Sequence, residues 1–409
     1  MFYQRAYWNL FGSLLVVSSK STSLSSAFAF CTSRQTLTLS SSLSRKVTSS
    51  TTAATSTTTQ ITNTRSNLVS MAATTVDDDI ASWVSSAGYG EVTSSQSIGS
   101  SGWASFRKVE VSQPPQPNLA FFVKTSRRSA KEMFEGEALG LQAMYEASKA
   151  SVGDNNNDDD DDSSALCIPQ VFHWGDMSSG NGSFLIMEYL KLGGRSNDYA
   201  LGKAMAHMHL ADPTLLPKAG NPDGKFGFNL DNTIGGTPQP NPWTSGSSTE
   251  DWIVFFRDQR IGHQLQLAGD AHLSELWDND IAPRLGALFE NITVKPSLLH
   301  GDLWSGNIGS ANGGKPSIFD PAVYWGHHEA EWGMSWCASF GKSFWDGYRS
   351  VIPEDPGFRD RKPLYDAYHQ LNHYNLFGGG YLNTAESQIL QVKRTLDEKK
   401  WKKELNQQR

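Results

Sequence analysis

His300-Gly301-Asp302-Leu303-Trp304-Ser305-Gly306-Asn307, followed thirteen residues later by Asp320, sets a carboxylate, an amide and a second carboxylate at intervals of five and thirteen residues. Transfer of a phosphoryl group from ATP needs these types of group. A carboxylate must stand in line with the γ-phosphate to orient or deprotonate an acceptor hydroxyl, and Mg²⁺ needs hard oxygen ligands, commonly one amide and one carboxylate. Asp302 is the candidate catalytic residue, Asn307 and Asp320 are the candidate metal ligands, and ATP and Mg²⁺ are the expected cofactors. Trp304 lies two residues past the proposed base, where a flat apolar ring faces the acceptor and can stack on a sugar.

These intervals separate the catalytic-loop Asp, its Asn and the metal-binding Asp in protein kinases. The same chemistry requires a cation on the α- and β-phosphates, and Lys124 at the end of Phe121-Phe122-Val123-Lys124 fits. A helix carboxylate should hold that lysine. Glu137 is the choice, because Leu141 and Met144 at i+4 and i+7 place it on the packing face, with Glu135 as the alternative. Gly99 and Gly102, upstream of the strand, are candidates for a phosphate cradle built from backbone N–H groups. Glu188, Tyr189 and Leu190 end a strand where two lobes would join, and their backbone is expected to pair with adenine.

The elements that must position these groups read as a β-rich front and a helical back. A short helix over 78–87 precedes strands at 105–111 and 120–124, joined through Gln113–Asn118, and a helix over 129–150 packs on them. Strands follow at 171–174 and 183–190. Helices are expected over 197–210, 251–267, 271–290, 325–347 and 363–377, with a Gly/Pro/Asn-rich stretch over 217–248 and a strand at 316–320 delivering Asp320. The expected fold is α+β, with a small β-rich N-lobe over 71–190 and a larger helical C-lobe over 191–390. An acidic surface insertion is expected at 153–164 and a charged tail at 391–409. His207 and His209 point apart on a helix, so one of them packing under the catalytic loop is favoured over a metal pair.

Charge excludes some partners. The stretch before Asp77 has no acidic residue and six basic ones, leaving about −13 on the remainder of a chain whose net charge is −7. That disfavours nucleic acid. Residues 1–70 are rich in Ser and Thr and read as a disordered targeting presequence, and its apolar run at 11–17 is too short to span a membrane. Ser25-Ser26-Ala27-Phe28-Ala29-Phe30 resembles the cleavage motif of bipartite plastid presequences, so a plastid location is expected, with mitochondrion or cytoplasm as alternatives. No membrane association is expected of the mature form.

Beyond the motif, the chain resembles the fructosamine/ketosamine-3-kinases, relatives of the aminoglycoside and choline phosphotransferases with a protein-kinase-like fold. The resemblance spans about residues 81–377. It rests on Phe122-Val123-Lys124, Met133-Phe134-Glu135-Gly136-Glu137, Met187 to Leu190, Lys225-Phe226-Gly227-Phe228-Asn229, Asp231-Asn232-Thr233-Ile234-Gly235, Pro238-Gln239-Pro240-Asn241, Trp252 with Phe255-Phe256, Leu299 to Asn307, Asp320-Pro321-Ala322, Tyr324 with Gly326-His327, and Asn372 to Asn375. It implies ATP-dependent phosphorylation of the sugar 3-hydroxyl of ribulosamines or fructosamines on glycated proteins or amino acids, which starts their deglycation. It further implies that Lys124 and Glu137 form the phosphate-binding pair, Glu188 to Leu190 bind adenine, Asp302 serves the acceptor hydroxyl, and Asn307 with Asp320 holds Mg²⁺. Many members carry a cysteine in the Gly-rich loop where this chain has Ser100, so thiol-based regulation is not expected there. An aminoglycoside- or choline-type kinase and a nucleotide-binding pseudokinase scaffold are the alternatives.

Overall fold

Alternation along the strands decides where Lys124 points. The computed structural model describes residues 78–112, 119–150, 166–193, 197–216, 220–311 and 313–408. Helix α1 (78–86) is followed by strands β1 (Glu91–Ser100), β2 (Ser105–Ser112) and β3 (Leu119–Ser126), helix α2 (Lys131–Ala150), and strands β4 (Val171–Asp176) and β5 (Ser183–Glu188). The five strands form one antiparallel sheet in the order β1-β2-β3-β5-β4. Phe121 and Val123 of β3, with Phe184 and Ile186 of β5, pack under Ile80 and Val84 of α1. The intervening residues take the other face with α2, where Leu185, Met187, Phe134, Leu141 and Met144 join the main core. Because successive strand residues point to opposite faces, Lys124 shares the α2 face with Phe122.

α2 sits unusually close to the C-terminal part. A Cβ on Gly136 would lie 2.8 Å from Asn232 Cβ, and one on Gly140 would lie 2.9 Å from Val323 Cγ2. Glycine at these two positions brings the helix that carries Glu137 against the segment that follows Asp320.

The C-terminal part contains α3 (Asp198–His209), capped by the Asn197 side chain, and a hairpin of β6 (Asn232–Ile234) and β7 (Thr237–Gln239). Helix α4 (Thr249–Phe255) passes through a π-turned stretch into α5 (His263–Ala268), and α6 (Ala271–Leu276) unwinds through π and 3₁₀ turns to Leu288. Then come β8 (Ser297–Leu299), β9 (Ile308–Ala311), β10 (Lys315–Ile318), β11 (Tyr324–Gly326), α7 (Ser335–Ala338), α8 (Lys342–Arg349), α9 (Phe358–Phe377) and α10 (Tyr381–Gln407). β9 pairs with β10 and β8 with β11, both antiparallel. The catalytic string occupies the connection from β8 to β9, and Asp320 follows β10. Among the described residues no helix is long and apolar enough to cross a membrane.

Several expectations need adjusting. The stretch 325–347 is not one helix: β11 extends through Gly326, a 3₁₀ run covers His328–Met334, and only α7 and α8 are helical. Gly333 there lies against the α9 backbone, with Tyr365 O 2.5 Å from where its Cβ would be, which shapes the tight turn. The Gly/Pro/Asn-rich stretch holds the β6–β7 hairpin. Position 391, where the charged tail was expected to begin, falls inside α10, whose Val392 and Leu396 are buried. α9 begins five residues before Pro363. Gln113–Asn118, the acidic insertion at 153–164 and the expected presequence at 1–70 lie outside the described residues.

Candidate active site

Lys124 emerges from β3 between two carboxylates. Its Nζ lies 2.7 Å from Glu137 Oε1 and 2.6 Å from Asp320 Oδ1. Lys124 and Glu137 side chains are each 9% exposed, whereas Asp320 is 55% exposed and opens onto the cleft. Burial opposes the lysine's charge, but Asp320 and Glu137 outweigh it and raise its pKa. Burial pushes Glu137 up to about 7 against the pull of Lys124, and the charge of Asp320 adds to that push. Burial also opposes ionisation of Asp320, yet the Lys124 ammonium holds it below the ordinary carboxylate range. Asp320 is therefore the carboxylate that keeps its charge beside the lysine. Glu137, rather than Glu135, is the helix partner that the structure brings to Lys124.

Asp320 has a positive φ of 59°, which is uncommon for a residue with a side chain. That conformation turns its carboxylate out of the strand direction and into the cleft. Its backbone carbonyl accepts from Asn307 Nδ2 at 3.2 Å, and the same amide donates to Asp302 O at 2.9 Å. Asn307 thus spends its nitrogen on both loops. Its carbonyl oxygen has no partner among the described residues. With Asp320 it forms a pair of hard oxygen donors, which suits Mg²⁺.

The catalytic string is fixed from below by a carboxylate absent from the sequence-based assignment. Glu331 Oε2 accepts the His300 N–H at 2.7 Å, and Oε1 accepts the Gly301 N–H at 3.0 Å. His209 Nε2 lies 3.3 Å from the same carboxylate. It is thus the α3 histidine that packs under the loop. Gly301 has φ 78°, and a Cβ there would stand 2.2 Å from Ala322 O. No side chain fits between the catalytic loop and the segment after Asp320. His300 Nε2 donates to Phe319 O at 3.0 Å, which leaves Nδ1 to accept the Asp302 N–H at 3.2 Å. Burial keeps this imidazole neutral by lowering its pKa. Asp302 is pushed up to about 7, first by burial and then by the charges of Asp320 and Glu331. A base in that range is about half ionised at neutral pH and basic enough to accept a proton.

Trp304 lies half-buried with its ring over Gly306, where a Cβ would meet Cη2 at 2.2 Å. Gly99 lies within β1 at a register shift, paired with Phe106 rather than in the loop. Gly102 is in the β1–β2 turn, where Ser101 Oγ accepts the Trp103 and Ala104 N–H groups. At the other end of the cleft, the Tyr189 N–H donates to Ala120 O and the Glu188 N–H to Gln170 O. The Leu190 N–H has no partner among the described residues, so the strand end offers a donor for a ligand edge.

Other missed residues hold the floor. Asn232 Nδ2 donates to Val323 O at 2.8 Å, and Gln239 Nε2 to Ala322 O at 3.0 Å. Buried Arg260 donates to Pro240 O and Asn241 Oδ1 while stacking 4.0 Å over the Tyr324 ring. Of these, Asn232 and Gln239 fall within the family blocks, which gave them no role, and Arg260 does not. No local spacing rule singles out such long-range amide contacts.

The chain is similar to known proteins over most of its length. The sequence profile described as fructosamine kinase matches residues 104–395. The chain is 42% identical over 329 residues to a chloroplastic protein-ribulosamine 3-kinase of Arabidopsis thaliana, covering 80% of this chain and 90% of that one. It is 45% identical over 275 residues to a protein of the same description from Oryza sativa subsp. japonica, covering 66% and 71%. A crystal structure from Thermobifida fusca, assigned as a fructosamine-3-kinase, superposes with a TM-score of 0.61 at 26% identity, covering 78% of this chain and 99% of that one.

Proposed function

This chain belongs to the fructosamine kinase family, and from that premise we propose that it phosphorylates the sugar 3-hydroxyl of ketosamines with ATP. Ribulosamines and fructosamines on glycated proteins or amino acids are the acceptors. The observation that carries this reading is the convergence of Lys124, Glu137, Asp302, Asn307 and Asp320 in one cleft, in a chain closely similar to ribulosamine kinases.

Each residue has a part. The backbone of Glu188 to Leu190 pairs with the adenine edge. Lys124, held by Glu137, passes from Asp320 to the α- and β-phosphates when the nucleotide enters, and Gly102 in the β1–β2 turn lies over them with Gly99 behind it in the strand. Asn307 and Asp320 hold Mg²⁺, which neutralises charge on the phosphates when bound. Asp302 orients the acceptor hydroxyl and takes its proton as the O3–P bond forms and the bond to the β,γ-bridging oxygen breaks, releasing ADP. Trp304 supplies the apolar surface beside the sugar. A plastid location is supported by the chloroplastic description of the plant relatives and by the acid-free, Ser/Thr-rich composition before Asp77.

Acceptor-dependent ADP release with Mg-ATP and ribulosyl-lysine or fructosyl-lysine tests the activity. A thermal shift with Mg-ATP but no turnover on either ketosamine would favour a nucleotide-binding scaffold instead. The pH dependence follows from Asp302, whose ionised form is the active one. With its pKa near 7, kcat/KM is expected to rise about tenfold per pH unit below 7 and level off above it. A flat profile through that range would rule out Asp302 as the titrating base.

A further inference from the structure

The tip of the first hairpin reaches across the cleft. Trp103, in the β1–β2 turn, lays its six-membered ring on Gly236, where a Cβ would lie 2.5 Å from Cη2, 2.8 Å from Cζ3 and 3.0 Å from Cζ2. Gly236 is the turn residue of the β6–β7 hairpin, so this contact joins the two lobes. Both of its ends are held. Ser101 Oγ accepts the Trp103 and Ala104 N–H groups, fixing the tip. On the other side, Asn232 and Gln239 tie the β6–β7 hairpin to the carbonyls of Val323 and Ala322, just past Asp320.

The direction of the contact identifies what it covers. Phe106, three residues after Trp103, pairs with Lys124 across the sheet, and Lys124 Nζ lies 5.7 Å from the Phe106 ring centroid. The phosphate region therefore sits at the Phe106 level. Trp103 lies beyond it, beside the Gly235-Gly236 turn, where a Cβ on Gly235 would lie 3.1 Å from Leu376 Cδ1 of α9. The indole bridges past the lysine on the side away from the strand end at Glu188. It remains 48% exposed, so a large apolar surface stays open after docking on Gly236. The indole joins neither apolar core cluster, and Gly236 is the contact that holds it.

We propose that Trp103 is an acceptor-binding residue: its indole, docked on Gly236, roofs the acceptor side of the cleft and packs against the ketosamine. The assignment rests on the ketosamine kinase reading. The acceptor enters when the tip lifts from Gly236 and is enclosed when it returns. Gly236 lacks a side chain so that the ring can seat. Its φ is not positive, so the backbone accepts alanine, and Gly236→Ala acts only by pushing the ring away.

Steady-state kinetics of Trp103→Ala, Trp103→Phe, Gly236→Ala and the Trp103→Ala/Gly236→Ala double variant, each with ribulosyl-lysine and Mg-ATP, test this. Loss of one aromatic packing surface corresponds to about a 3–10-fold rise in the ketosamine KM. That rise is expected in Trp103→Ala and Gly236→Ala, with the ATP KM within about twofold of wild type and Trp103→Phe intermediate. The double variant should be no worse than Trp103→Ala, because the alanine at 236 then has no ring to displace. An unchanged ketosamine KM in Trp103→Ala, a rise confined to the ATP KM, or additive single effects would each overturn the assignment while the kinase reading stands. Absence of ketosamine turnover by the wild-type protein would overturn both together.

Discussion

Asp302→Asn is expected to lower kcat by about 10²–10⁴-fold, the usual cost of losing a positioned base, while the protein folds at least as well as wild type. The two effects have one cause. The Asp302 carboxyl is partly withdrawn from solvent and lies near the charges of Asp320 and Glu331, which raises its pKa to about 7. A group whose folded pKa exceeds its unfolded value binds its proton more tightly in the native state. Its contribution to stability therefore diminishes as pH rises through that interval and is lost above about 7. The ionised base is thus a cost to the fold at the pH where it works, and asparagine removes the charge without changing the shape. The Asn307 amide, 3.5 Å from Oδ2, keeps an oxygen to approach. Lys124, Glu137 and Asp320 are untouched, so the KM for ATP should hold. Measuring kcat, both KM values and the melting temperature at pH 8 separates the possibilities. A melting temperature below wild type with activity lost in proportion would mean that Asp302 acts through the fold, and an unchanged kcat would remove it from the chemistry.

The parts of this site legible in the sequence are those set by local periodicity. The end of the apolar run Phe121-Phe122-Val123 singled out Lys124, and the i+4 and i+7 relation to Leu141 and Met144 placed Glu137 on the buried side of α2; the two meet at 2.7 Å. The five- and thirteen-residue intervals brought Asp302, Asn307 and Asp320 together because β9 and β10 form a short hairpin whose length fixes the return. What escaped depends on contacts distant in sequence. β6 and β7 read as loop because Gly235, Gly236 and Pro238 dominate them locally, whereas Asn232 and Gln239 hold the hairpin by reaching backbone about ninety residues away. One helix was expected over 325–347, but the aromatic rings there pack into a core around Trp332 from a 3₁₀ run and two short helices. In α10 the opposite error arose: the lysines and glutamates concealed Ala385, Ile389, Val392 and Leu396, whose four-three-four spacing is a buried helical stripe.

Glu331→Ala is expected to destabilise the protein by at least about 3 kcal/mol, because three buried donors lose their acceptor at once and each orphaned donor costs about 1–3 kcal/mol. Those donors are the His300 and Gly301 N–H groups and His209 Nε2. The charge state follows from the hydrogen bonds. Burial opposes ionisation of Glu331, yet His209 and the His300 N–H outweigh it and hold its pKa below the ordinary value. Burial lowers the pKa of His209, so its ring is neutral, donating from Nε2 and accepting at Nδ1 from Tyr348 Oη, 2.9 Å away. Tyr348 Oη in turn accepts from His328 Nδ1 at 3.1 Å. One carboxylate thus ties α3, α8 and the 3₁₀ run after β11 to the two residues before the base. Neighbouring Glu329 anchors the same run by a bidentate pair with buried Arg361, at 2.6 and 2.7 Å. Glu331→Gln keeps one acceptor oxygen but turns an N–H₂ toward groups that only donate, so it should restore part of the stability and little of the activity. Urea unfolding and kcat of the folded protein check this. Equal stability of Glu331→Ala and wild type would show that the loop amides find other partners. Full activity in Glu331→Gln would show that the position of Asp302 does not depend on this carboxylate.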